Sequence, residues 1–167
     1  YNIPGLSGAV VNMHAFLTRA AETVENFAGI KFTSPDVIDF QYCMNSFGDR
    51  FDLLWGVDEM LLTVQPTGVQ GAVGSTYNYI PVPAVNVMRA FAEGDMATAR
   101  TWQERILAVI GIWSRYSAHP VPCGKAIMKQ SGIDCGPTRF PQPPLTGEQE
   151  AALRSDLDAL GFFDWRA

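Results

Sequence analysis

Three short apolar runs, residues 28–33, 51–55 and 69–75, are each followed by a stretch in which apolar side chains recur at helical spacing. No other feature limits the fold as tightly. Consecutive parallel strands need a crossover between them, and a parallel sheet must have both faces covered. The predicted class is α/β. Residues 13–27 are expected as a helix presenting Phe16, Ala20, Thr23, Val24 and Phe27 on one face, with Gly29 resetting the pattern. Ser34-Pro35-Asp36 supplies an N-cap hydroxyl, a proline preset for the first turn and an early carboxylate, predicting a helix that runs to about Phe47. Asp58-Glu59-Met60-Leu61-Leu62 is expected to open another, after the strand that Gly56 closes. Three such units alone leave two bare sheet edges, so further strands are expected ahead of Tyr1. A start without an initiator Met reads as cut rather than processed.

From Val82 onward the pattern is helical. Met96, Ala99, Trp102, Ile106, Ile110 and Trp113 form a predicted apolar stripe. Thr146-Gly147-Glu148-Gln149 matches a capping box ahead of Leu153, Leu157 and Leu160. The prolines of residues 137–144 read as an extended crossing between helices. Of the 167 residues, 47% are hydrophobic and 17% charged, the make-up of a chain that can bury a core. The formal charge of −5 argues against polyanionic partners, so no nucleic acid and no membrane surface is expected to bind. No apolar stretch reaches the roughly 18 residues that a spanning helix needs. Cys43, Cys123 and Cys135 are odd in number and widely spaced, which disfavours a disulfide framework or zinc ribbon and suits a cytoplasmic setting.

Lys31 falls at the end of the first apolar run, and the carboxyl ends of strands in parallel sheets are where α/β proteins place their chemistry. A desolvated amine can attack a carbonyl and form a Schiff base. From the residues alone, a strand-end lysine reaching out to water is the commoner case. Asp58 and Glu59 could grip hydroxyls or move protons, or merely suit a helix start. Gly71-Ala72-Val73-Gly74-Ser75-Thr76 permits close backbone approach but matches neither a phosphate loop nor a dinucleotide fingerprint. His14 and His119 have no second ligand at metal-binding spacing and are expected to be structural.

Four motifs in order carry a resemblance: Tyr1-Asn2-Ile3-Pro4-Gly5-Leu6-Ser7-Gly8, Gly29-Ile30-Lys31-Phe32-Thr33, Gly56-Val57-Asp58-Glu59 and Gly71-Ala72-Val73-Gly74-Ser75-Thr76-Tyr77-Asn78. The chain resembles the C-terminal portion of the N-acetylneuraminate lyases, in the dihydrodipicolinate synthase superfamily. The resemblance implies the last three strands of a (β/α)8 TIM barrel at residues 1–95, a C-terminal helical extension at 96–167, and an N-terminal barrel half outside this chain. It implies a class I aldolase. Lys31 would form an imine with the ketone carbon of N-acetylneuraminate (sialic acid), opening retro-aldol cleavage to N-acetylmannosamine and pyruvate.

In that reading Tyr1 shuttles the proton of the hydroxyl on the breaking bond. Thr33, Gly56, Asp58, Glu59, Gly74 and Ser75 bind the hydroxyl-rich sugar, with Leu6 at the substrate-binding position where the synthases carry an arginine. Phe32-Thr33 likewise replaces the synthases' Glu-Ala, and both differences favour the sugar lyase. The resemblance further implies no metal and no cofactor, small-molecule substrates only, and a homotetramer. The loop that holds the pyruvate carboxylate would lie in the other barrel half, so the isolated chain is expected to be inactive. Two alternatives stay open: a related pyruvate-dependent aldolase for another sugar acid or aldehyde, and a non-catalytic truncated-barrel binding protein.

Overall fold

The computed structural model describes residues 1–166. The chain divides into two compact units, Tyr1–Gly74 and Ser75–Ala167.

The first unit contains α1 (Pro4–Ser7), α2 (Met13–Thr23), β1 (Gly29–Phe32), α3 (Val37–Phe47), β2 (Asp52–Trp55) and α4 (Leu61–Val64). β1 and β2 pair in parallel, with Lys31 opposite Leu54 and Phe32 opposite Trp55. This pairing through an intervening helix is the βα arrangement that the alternation predicts. One residue extends the sheet on each side: Asn2 bridges Phe32 and Ala72 bridges Trp55, both in parallel. The amide of Asn2 donates to the Lys31 carbonyl at 2.9 Å, and that of Val73 to the Trp55 carbonyl at 2.8 Å.

The third expected strand, residues 69–75, is therefore reduced to a single bridge. Gly71 and Gly74 flank it, and glycines weaken a strand because they lose the most backbone freedom and offer no side chain to pack. Val69 nevertheless joins the core. The expected helix after Asp58 is also broken up. A 3-10 turn spans Asp58–Met60, α4 lasts four residues, and a second 3-10 turn at Gln65–Thr67 ends at Gly68, whose φ of 86° is left-handed.

α2 stops at Thr23, four residues before the expected end, because Val24 is extended at φ −118°. Its buried residues are Met13, Leu17 and Ala20, while Phe16 and Val24 on the expected face stay exposed. The cap of α3 is Asp36 rather than Ser34. The Asp36 carboxylate accepts from the Asp39 amide at 3.0 Å, and Ser34 Oγ accepts from the Asp36 amide one turn earlier. Asp39 then reaches across to α2, accepting from the Met13 amide at 2.8 Å and the His14 amide at 3.3 Å. With Asn12 accepting from Ala15, three of the orphan donors of α2 are met by side chains. Ile30, Phe32, Leu53 and Trp55 share one core with residues of both helices, in which Phe32, Phe40 and Trp55 lie with ring centroids 5.0–5.9 Å apart.

The second unit is helical: α5 (Pro81–Ala92), α6 (Met96–Trp113), α7 (Pro120–Gln130), α8 (Gly147–Ala159) and α9 (Phe162–Trp165). α6 buries Ala99, Gln103, Ile106, Val109 and Ile112, a face rotated from the expected stripe, so Met96 is exposed and Ile110 and Trp113 are half-buried. The capping box of α8 is complete, with Thr146 and Gln149 each bonding the other's backbone amide. Leu153 and Leu157 are fully buried behind it. Residues 133–139 carry no regular structure and are tied to α7 by Lys125, whose ammonium donates to the Cys135 and Pro137 carbonyls at 3.0 Å each.

Candidate active site

Alternation along β1 decides where Lys31 sits. Ile30 and Phe32 enter the core shared with α2 and α3, so Lys31 leaves the opposite face of the sheet. Asn2 is the bridge partner of Phe32, which sends Tyr1 to the Lys31 side. The ammonium of Lys31 lies 4.5 Å from the centroid of the Tyr1 ring, within the range of a cation–π attraction. Thr33, two residues beyond Lys31 on the same face, donates its hydroxyl to the Tyr1 phenol oxygen at 3.4 Å. A long bond of this kind orients the phenol only loosely.

Gly56 completes the group. A Cβ at this position would overlap the Thr33 hydroxyl and stand 2.9 Å from Lys31 Cε and 3.2 Å from the Phe32 carbonyl oxygen. The absent side chain is what lets Lys31 and Thr33 occupy their places. Asp58 follows on the 3-10 turn and is buried, at 5% exposure, while Glu59 is exposed. A Cβ on Gly74 would run into the Asp58 carboxylate, so this glycine too is needed for a close approach.

The expected site residues thus fall into two groups within the first unit: Tyr1, Lys31, Thr33 and Gly56 together, and Asp58 with Gly74. Leu6 lies on α1 and is 72% exposed. Ser75 opens the second unit and is exposed. Asn2 was not a candidate in the sequence, yet its backbone aims Tyr1. A bridge one residue long leaves no periodicity by which to find it.

Other reactive groups are quieter. Burial, followed by the nearby Asp39 charge, pushes the Cys43 thiol up to about 12, and burial pushes Cys123 up to about 11. Neither is a thiolate nucleophile at neutral pH. The His14 ring contacts Ser46 Oγ at 3.0 Å and packs on Phe47, and the His119 ring accepts from the Val121 amide as the cap of α7. Both histidines therefore serve structure. Among the described residues no group of three or more His, Cys, Asp or Glu could hold a metal ion, and no helix is long and apolar enough to cross a membrane.

A parallel βα sheet with a lysine on its open face and a tyrosine beside it defines a class that comparison with known proteins makes specific. The chain belongs to the dihydrodipicolinate synthetase family, whose pattern matches residues 1–160. It is 36% identical to the N-acetylneuraminate lyase of Rattus norvegicus over 167 residues, covering 99% of this chain and 52% of that protein. Among solved structures, Proteus mirabilis N-acetylneuraminate lyase matches 94% of this chain and 52% of its own, with a TM-score of 0.87 at 35% identity. The Aliivibrio salmonicida enzyme of the same name matches with a TM-score of 0.88 at 32% identity, covering 95% of this chain and 52% of its own. The chain spans about half the length of the relatives it matches.

Proposed function

We propose that this chain carries the imine-forming part of a class I aldolase that cleaves N-acetylneuraminate to N-acetylmannosamine and pyruvate. The observation that carries the reading is the pairing of Lys31 with Tyr1 on the open face of the sheet, with Gly56 making room for both Lys31 and Thr33. Relatives named N-acetylneuraminate lyase support the choice of substrate.

In this reading the Lys31 amine attacks the ketone carbon of the open-chain sugar acid and water leaves, giving a protonated imine. The iminium accepts the electron pair of the breaking carbon–carbon bond, while Tyr1 takes the proton of the hydroxyl that becomes the aldehyde. The enamine left on Lys31 then takes up a proton at its terminal carbon, which restores the iminium, and hydrolysis by water returns the free amine and releases pyruvate. Thr33, Gly56, Asp58, Glu59, Gly74, Ser75 and Leu6 meet the substrate, short polar groups discriminating by the unpaired partners they would leave against a wrong sugar. No metal or cofactor takes part.

We assign residues 1–95 to the last three strands and helices of a TIM barrel and 96–167 to a helical extension. α5 then counts as the helix of the last βα unit although it packs closely on α6 within the second compact unit. A cytoplasmic homotetramer completes the reading. Release of pyruvate from N-acetylneuraminate, compared with other 2-keto sugar acids, tests it in the protein as encoded. Turnover is expected to be highest for N-acetylneuraminate and lost in Lys31→Met; a Lys31→Met variant that keeps its rate overturns the proposal.

A further inference from the structure

The neighbour of Lys31 across the sheet is Leu54. The two are register partners in the β1–β2 pair, so their side chains leave the same face about 4.8 Å apart. Leu53 and Trp55 on either side enter the core, whereas Leu54 stays half-buried outside it. Leu54 in turn has room because Gly71 has no side chain: a Cβ built there stands 2.8 Å from Leu54 Cδ2. Gly71 is held alongside β2 by the bridge of Ala72 to Trp55 and by its own carbonyl, which accepts from the Trp55 amide at 3.0 Å. Its backbone has no left-handed φ, so alanine is allowed there by conformation and is opposed by the tip of Leu54. Lys31, Leu54 and Gly71 thus form a row across three adjacent segments of the sheet.

The Lys31 stem has several rotatable bonds and needs walls to aim its amine. Tyr1 touches the ammonium end and Gly56 leaves space at Cε, which leaves the flank along β2 to be supplied by an apolar side chain. We propose that Leu54, seated by the missing side chain of Gly71, is the positioning residue that keeps the Lys31 amine aimed for attack on a carbonyl. The inference rests on the Schiff-base reading of Lys31.

The test is the rate at which borohydride traps a pyruvate adduct on Lys31, per folded molecule, in the protein as encoded. Gly71→Ala is expected to slow trapping a few-fold by turning the tip of Leu54 toward the lysine stem, since small misplacements of reacting groups carry rate penalties. Leu54→Ala slows it a few-fold and Leu54→Met, which restores an apolar stem, recovers most of the loss. In the Leu54→Ala background Gly71→Ala adds no further loss, because the group it collides with is gone; this suppression is a coupling that a general loss of stability would not produce. Equal cost of Gly71→Ala in both backgrounds overturns the proposal, as does a Leu54→Ala variant that traps at the wild-type rate. If Gly71→Ala does not fold, the comparison of Leu54→Ala with Leu54→Met decides alone. A wild-type protein that yields no adduct at Lys31 refutes the Schiff-base reading itself, and is thereby distinguished from a failure of the Leu54 inference.

Discussion

At Gly56 the candidate site depends on an atom that is not there. A methyl group in that place meets the Thr33 hydroxyl, Lys31 Cε and the Phe32 carbonyl oxygen at once, and the short β-branched Thr33 and the backbone have little freedom to give way. Gly56→Ala is therefore expected to reduce imine formation at Lys31 by about a hundredfold, the scale associated with a displacement of about 1 Å, in single-turnover trapping with pyruvate. The opposite case is Cys43, a residue whose chemistry is suppressed. Its thiol is raised from 9.0 to about 12 in the folded protein, chiefly by burial, so the folded state holds a proton that the unfolded state releases between those values. Stability from this group is complete below about pH 9 and is lost as pH rises toward 12. Urea unfolding followed from pH 8 to 11 should show that decline, and it should be shallower in Cys43→Ala. Lys31 could be singled out in the sequence because the end of a βα strand is recognisable from its apolar run and the turn signals after it. The proximity of Tyr1 came only with the resemblance, since the single bridging residue that brings it there, Asn2, leaves no local pattern.

At the level of elements, the helix starts were more legible than the helix faces. A cap is a local event, and the Thr146–Gln149 box needs only residues three apart. Which stripe of α6 turns inward is decided by its partners. Both the expected residues and Val109 and Ile112 are apolar, so periodicity could not separate the two phases, and Gln103 lies on the buried side. The third strand shrank for a different reason: pairing with β2 is non-local and its two glycines contribute little to it. Long-range capping was equally hidden. Asp39 lies 26 residues beyond Met13 yet accepts from its amide, a role no local pattern announces. Asp39→Ala should destabilise the chain by roughly 1–2 kcal/mol through loss of two acceptors at the start of α2. Asn45→Ala on the exposed side of α3 should change stability by less than about 0.5 kcal/mol, the usual range for surface substitutions. Chemical denaturation of both variants checks the contrast.

For the whole molecule, the chain is a family member spanning about half the length of its relatives, with a lysine and a tyrosine on a sheet face that its own α2 and α3 do not cover. The 167-residue chain alone is expected to release no pyruvate from N-acetylneuraminate in a coupled assay, because the family resemblance puts the loop proposed to hold the substrate carboxylate outside these residues. Borohydride reduction of the protein as encoded, in the presence of pyruvate and followed by peptide mass mapping, addresses the central claim most directly. The account predicts one reduced pyruvate adduct on the peptide containing Lys31 and none in Lys31→Met; an adduct on a different lysine, or an unmodified Lys31 in folded protein, would contradict it.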